Sequence, residues 1–118
     1  MTTYERTQQI WSVLVLAARE QKVLSYEMLG DMTGMANEMG RELGNIYYYC
    51  VRNKLPLLNL LAINKETGRP GEGCPADLSD LPAQQNRVFV YDWLKHGVPK
   101  TEDFEEARKS RTGKATTA

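Results

Sequence analysis

A mainly α-helical domain with one small β-hairpin and a C-terminal helical extension is the fold this sequence predicts. Three observations carry that expectation. Apolar residues recur at helical spacing through the first half of the chain, glycine and proline punctuate its middle, and acids precede bases in its last segment. The chain has 118 residues, which suits one domain, expected over 1–109. A chain of this length can bury a single core without staples.

The first helix is expected from Thr3 to Gln21, with Thr2 or Thr3 as N-cap. Tyr4, Thr7, Trp11, Leu14 and Ala18 make one face, widened by Ile10, Val13 and Ala17. Ser25 can cap a short helix over Tyr26–Met32, with Met28, Leu29 and Met32 as its buried side; Thr33-Gly34 then turns the chain. A third helix is expected from Asn37 to Asn53. Its apolar side is Met39, Leu43, Ile46 and Cys50, bordered by Tyr47. Its other side is the polar stripe Asn37, Arg41, Asn45, Tyr48 and Arg52. Gly40 and Gly44, one turn apart, cost helix propensity, and a close backbone approach would be the reason to keep them. In Tyr47-Tyr48-Tyr49, Tyr47 is expected to pack inside and the other two to be partly exposed.

Leu55-Pro56 ends the third helix. Leu57–Asn64 can supply a buried strand, and Lys65–Gly73 is a glycine-rich hairpin tip. After a proline-interrupted connector, Pro82–Lys95 reads as a fourth helix. Val88, Tyr91 and Leu94 lie on one face and Phe89 and Trp93 on the next, with His96-Gly97 as its stop. Trp11 and Trp93 are expected to anchor the first helix to the fourth. Thr101 caps a helix from Glu102 to Lys109, and 110–118, lacking large apolar residues, is expected to be disordered. Helix, short helix, turn, longer helix, strand and hairpin is the order of a winged helix-turn-helix core.

With 15 basic and 15 acidic residues, the formal net charge is zero. That weighs weakly against a dedicated nucleic-acid binder and more strongly against an acidic DNA mimic. Two cysteines and one histidine make neither a disulfide framework nor a zinc ligand set, so no metal or other cofactor is expected. No stretch is apolar enough to span a bilayer and no signal peptide is seen, so a cytoplasmic protein without membrane partners is expected. Cys50 falls on the apolar face as an inert thiol, and Cys74 sits in a loop as the more reactive one. His96 suits a helix C-terminus, and Glu38 with Glu42 suits surface charge balanced by Arg41. No nucleophile is paired with a base, and no enzyme is expected.

Leu24-Ser25-Tyr26-Glu27-Met28-Leu29, Thr33-Gly34, Met39-Gly40-Arg41-Glu42-Leu43, Leu55-Pro56 and Ile63-Asn64 with its glycine-rich tip resemble the DNA-binding domain of the alkylguanine-DNA alkyltransferases. They are similar also to the alkyltransferase-like proteins, which keep that domain without the methyl-accepting thiol. The resemblance covers about residues 10–73 and implies a winged-helix fold with DNA contact. It denies the repair chemistry. The family's Pro-Cys-His-Arg is Pro56-Leu57-Leu58-Asn59 here, and its intercalating arginine falls on Asn37. A base-flagging role of the alkyltransferase-like kind would need a pocket near Tyr26 and Asn59.

These observations make a non-catalytic protein that binds double-stranded DNA the first expectation. Asn37, Arg41, Asn45, Tyr48 and Arg52 would face the groove, while Lys65 and Arg69 at the wing would hold phosphates. With so few basic residues a homodimer would strengthen binding. The alternative is a protein-binding accessory or inhibitor module of the kind mobile elements carry, which the neutral charge and exposed tyrosines would also fit.

Overall fold

The computed structural model describes residues 1–35 and 38–117, with side chains described through Arg111. It is mainly helical. Helix α1 spans Thr3–Arg19, α2 Tyr26–Thr33, α3 Gly40–Arg52, α4 Leu81–Val90, α5 Trp93–His96 and α6 Thr101–Thr117. Strands β1 (Leu24–Ser25) and β2 (Ala62–Ile63) pair in parallel, Leu24 with Ala62 and Ser25 with Ile63.

The caps follow local chemistry. Thr2 Oγ1 accepts from the Glu5 N–H and the Glu5 carboxylate accepts from the Thr2 N–H, a reciprocal box that fixes the start of α1. Ser25 Oγ accepts from the Met28 N–H at 3.1 Å and starts α2 directly from β1. Gly34 ends α2 at φ +73°, a left-handed conformation that glycine adopts without strain.

The core is a layer of helices around Trp11. That indole meets the rings of Tyr49, Trp93 and Phe104 edge-on, with centroids 5.5, 5.4 and 5.9 Å away. Edge-to-face contact of this kind adds to area burial. Ile10, Leu14, Leu29, Ile46, Leu58, Leu61 and Val88 complete the buried cluster. Trp93 joins α5 to α1 through Trp11, as expected of the two tryptophans, and its Nε1–H donates to the Val88 carbonyl at 2.8 Å. The C-terminal helix is part of this core, because Phe104 and Ala107 are buried against α1 and α3.

Several expectations change. Met28 and Met32 are 54% and 52% exposed, and only Leu29 and Gly30 of α2 are buried. Eight residues are too few to bury a wide stripe, and Leu29 alone points to α1. Tyr49 is the buried tyrosine, while Tyr47 and Tyr48 are half-buried, because Tyr49 shares the Ile46–Cys50 side. The segment expected to be one strand from Leu57 is a 3-10 turn (Leu58–Leu61) followed by the two-residue β2. In place of a hairpin, a single antiparallel bridge, Asn64 with Arg69, closes the tip. The expected fourth helix breaks at Tyr91, whose ψ of 144° is extended; Asp92 then caps α5 by accepting from the Lys95 N–H. The break turns Leu94 outward and Trp93 inward. Helix α6 runs past Lys109, so Ser110 and Arg111 are helical and the expected tail does not start there.

Trp11→Ala should destabilise the protein by about 3–5 kcal/mol, the range for emptying an aromatic core site. Urea unfolding followed by circular dichroism measures it; a loss under about 1 kcal/mol would show that the aromatic cluster does not hold α1, α3, α5 and α6 together.

Candidate ligand cleft and cationic face

Helix α3 carries most of the expected site, and the structure divides its polar stripe. Asn45 is fully buried. Its Nδ2–H donates to Thr7 Oγ1 at 3.0 Å, and its Oδ1 accepts from Arg108 Nη1 at 2.6 Å. Base recognition by Asn45 is therefore corrected: α6 covers this part of α3 and uses the amide as a structural bridge. Asn37 lies outside the described residues. Arg41 and Arg52 are exposed, and among the described residues neither forms an ion pair. Eleven residues apart, they stand about 20° apart around the helix and about 16 Å apart along it. Tyr48 lies between them on the same line. Two arginines from α6 sit over its ring, with the Arg108 and Arg111 guanidinium carbons 5.6 and 5.2 Å from the centroid.

The tip residues are engaged internally. Lys65 Nζ pairs with Glu27 Oε2 at 2.8 Å, and Arg69 Nη2–H donates to the Leu78 carbonyl at 3.2 Å. Both side chains are exposed, so these contacts are weak, but they draw the two cations toward α2 and the connector. Glu42 is also corrected. It is buried and bonded to Arg6 Nε at 3.1 Å, tying α3 to α1, and is not balanced by Arg41. His96 does more than end a helix, since its Nε2 lies 2.8 Å from the Tyr49 hydroxyl. Burial, then the charge of Asp103, pushes the Tyr49 phenol up.

Between the first turns of α3 and the chain after β2 lies a cleft of about 510 Å³. Gly40, Arg41, Tyr48 and Arg108 form one wall, and Tyr26, Gly71 and Cys74 the other. Its shape depends on one loop anchor, the Gly71 N–H donating to the Tyr26 hydroxyl at 2.6 Å. A Cβ on Gly71 would stand 3.3 Å from that oxygen, so the anchor tolerates little bulk. The expected backbone approach at Gly40 and Gly44 is absent: a Cβ on Gly40 meets nothing within 4 Å, and one on Gly44 meets only the Arg108 and Tyr48 side chains. Both glycines instead border open cleft.

Asn59 also lines the cleft. It is 5% exposed, and its Oδ1 is buried with no hydrogen-bond partner among the described residues. Its Nδ2 has only the Cys74 sulfur, at 3.9 Å. An unsatisfied buried polar atom costs about 1–3 kcal/mol, so its presence in a folded protein calls for an explanation. Burial, then the neighbouring charges of Arg41 and Arg111, holds the Arg108 guanidinium below its ordinary value. Arg41 and Arg108 thus line the cleft together, with Arg111 nearby over Tyr48. The other thiol, Cys50, is fully buried, and burial pushes it up to about 12.

Tyr26 and Asn59 do share a pocket, but the sequence gives no sign that Asn59 lacks a partner, and it places neither Arg108 nor Arg111 beside α3. Acids early and bases late in α6 suggested only a dipole-adapted helix. Among the described residues no three His, Cys, Asp or Glu side chains converge as a metal-binding group, and no helix is long and apolar enough to cross a membrane. Comparison with protein-family models, curated proteins and solved structures finds no match for the chain.

Two predictions come from this geometry. Asn45→Ala should lower stability by about 1.5–3 kcal/mol in urea unfolding, because it strips a half-buried guanidinium of its acceptor; an unchanged midpoint would refute the bridge. A thiol reagent at neutral pH should label Cys74 and spare Cys50 until the protein unfolds. For Cys50 the sign is set by a raised value: the stability gained by keeping it protonated is complete below about pH 9, and is lost as pH rises toward 12. Equal labelling of both thiols in the native state would contradict this.

Proposed function

We propose that this protein is a small, non-catalytic nucleic-acid-binding protein that holds double-stranded DNA by its phosphate backbone. One observation carries the reading: Arg41, Tyr48 and Arg52 form a line along the outer edge of α3, and α6 lays Arg108 and Arg111 over the same edge. The formal charge of the chain is zero, yet positive charge is concentrated here. A partner responds to charge within about a Debye length, roughly 8–10 Å, more than to the molecular total.

The grip falls on phosphates more than on bases. Asn45, the side chain suited to an adenine edge, faces inward, and α6 lies beside α3 where a groove-inserted helix would need room. Arginine forks match phosphate oxygens, and the half-buried Tyr48 offers a hydroxyl for a further contact. Lys65 and Arg69 can join only by leaving Glu27 and Leu78. Binding by about four cations is weak and steeply salt-dependent, with a slope of about −3 to −4 in log K against log salt. Two copies on one duplex would double the contacts.

A second reading has one specific observation in its favour. Met28 and Met32 are exposed one turn apart on α2 and could meet a protein partner.

Fluorescence anisotropy with a mixed-sequence duplex at low and at physiological salt separates the two. The expected result is salt-sensitive binding whose slope falls by about two in Arg41→Ala/Arg52→Ala, one for each phosphate contact removed. An absence of binding at low salt would overturn the DNA reading and leave a protein partner.

A further inference from the structure

We propose that the cleft between α3 and the loop at 70–75 is a site for a diffusible phosphate monoester whose body carries a flat ring with an N–H donor, the chemistry of a free 5′-mononucleotide. The inference shares Arg41, Tyr48 and Arg108 with the DNA reading but stands apart from it, because it rests also on Asn59, Tyr26 and the start of α3, which line the cleft.

Four features select this chemistry. The first turn of α3 opens on the cleft through Gly40 and Arg41, and its N-cap Met39 contributes no side-chain oxygen. The N-terminus of a thirteen-residue helix favours an anion there. Arg41 and Arg108 both line the cleft, and burial, then the charge of Arg41, holds the Arg108 guanidinium below its ordinary value. A phosphate monoester carries about −1.5 to −2 charge at neutral pH, so it matches two guanidinium groups better than a carboxylate does.

The third feature is Asn59. Asn59 lines the cleft, nine-tenths or more buried, with an amide oxygen that has no partner among the described residues. An acceptor in that state calls for an N–H donor, and the amino or imide edge of a heterocycle supplies one. Cys74, beside it, cannot substitute for such a donor, since a thiol is a weak one. Finally, Tyr26 and Tyr48 stand on opposite walls, and the space of about 510 Å³ lies in the usual range of small-molecule sites, roughly 300–1,000 Å³. Aromatic walls, a buried acceptor and a cationic end suit a ring at the floor and a phosphate at the mouth.

Titration calorimetry without DNA tests this, with 5′-AMP and 5′-GMP as probes and inorganic phosphate and ribose 5-phosphate as controls. Saturable mononucleotide binding, at least tenfold tighter than inorganic phosphate, is expected. Arg41→Ala should weaken nucleotide and phosphate alike by about tenfold. Asn59→Leu should weaken the nucleotide by about tenfold and leave phosphate unchanged. Because Asn59 is buried, amide-resolved NMR of the unaltered protein supplies a second measurement: Gly40, Gly44 and Gly71 should shift on adding nucleotide. No saturable binding, or binding that moves none of these glycines, would overturn the proposal. Duplex binding without nucleotide binding would remove only this inference; nucleotide binding without duplex binding would remove only the DNA reading.

Discussion

A chain of hydrogen bonds ties the three long helices together. Thr7 Oγ1 donates to the Thr3 carbonyl at 2.8 Å and accepts from Asn45 Nδ2, while Asn45 Oδ1 accepts from Arg108. The side-chain oxygen of Thr7 and both polar atoms of the Asn45 amide have partners, which is the condition under which buried polar groups specify an arrangement instead of penalising it. It sets the register of α6 against α3. Phe104 and Ala107 supply the apolar contact; Asn45 decides where along α3 that contact falls.

The proposed binding surface follows from that register. With Arg108 held by Asn45, its guanidinium lies over Tyr48 and lines the cleft. Arg111, one turn on, reaches the same ring. The result is like charge gathered beside a helix start whose N-cap is Met39, near a buried Asn59 oxygen with no partner among the described residues. Each of these three conditions is unfavourable alone. Together they are the arrangement that the proposed anionic ligand would relieve by supplying the missing interactions.

The Arg6–Glu42 pair, with its carboxylate buried and its guanidinium half-buried, plays a comparable part between α3 and α1. It takes the first-turn carboxylate away from Arg41 and gives it to α1. Had Glu42 faced outward, it would have neutralised the face that the proposed function requires. Among the described residues, two contacts, Asn45 with α6 and Glu42 with α1, thus leave Arg41 and Arg52 as the exposed charges of this part of α3.

Local physics made much of the fold legible from sequence. The starts of α1 and α2 at Thr2 and Ser25, the turn at Gly34, the apolar face through Trp11 and Ile46, and the inert Cys50 all depend on neighbours within a turn or two. The α2 methionines, the choice among three consecutive tyrosines and the break at Tyr91 depended on which surfaces their partners had already covered.

From sequence alone, periodicity determined which residues of α3 share a side, and composition determined that no strong net field surrounds the chain. Only the tertiary structure decided which of those polar residues meets water. Spacing fixes an angle around a helix and carries no information on what packs there; Asn45 and Glu42 are buried because Arg108 and Arg6, distant in sequence, arrive with complementary groups. The cleft and its unpaired Asn59 belong to the same category, since a cavity is the space that several elements leave between them.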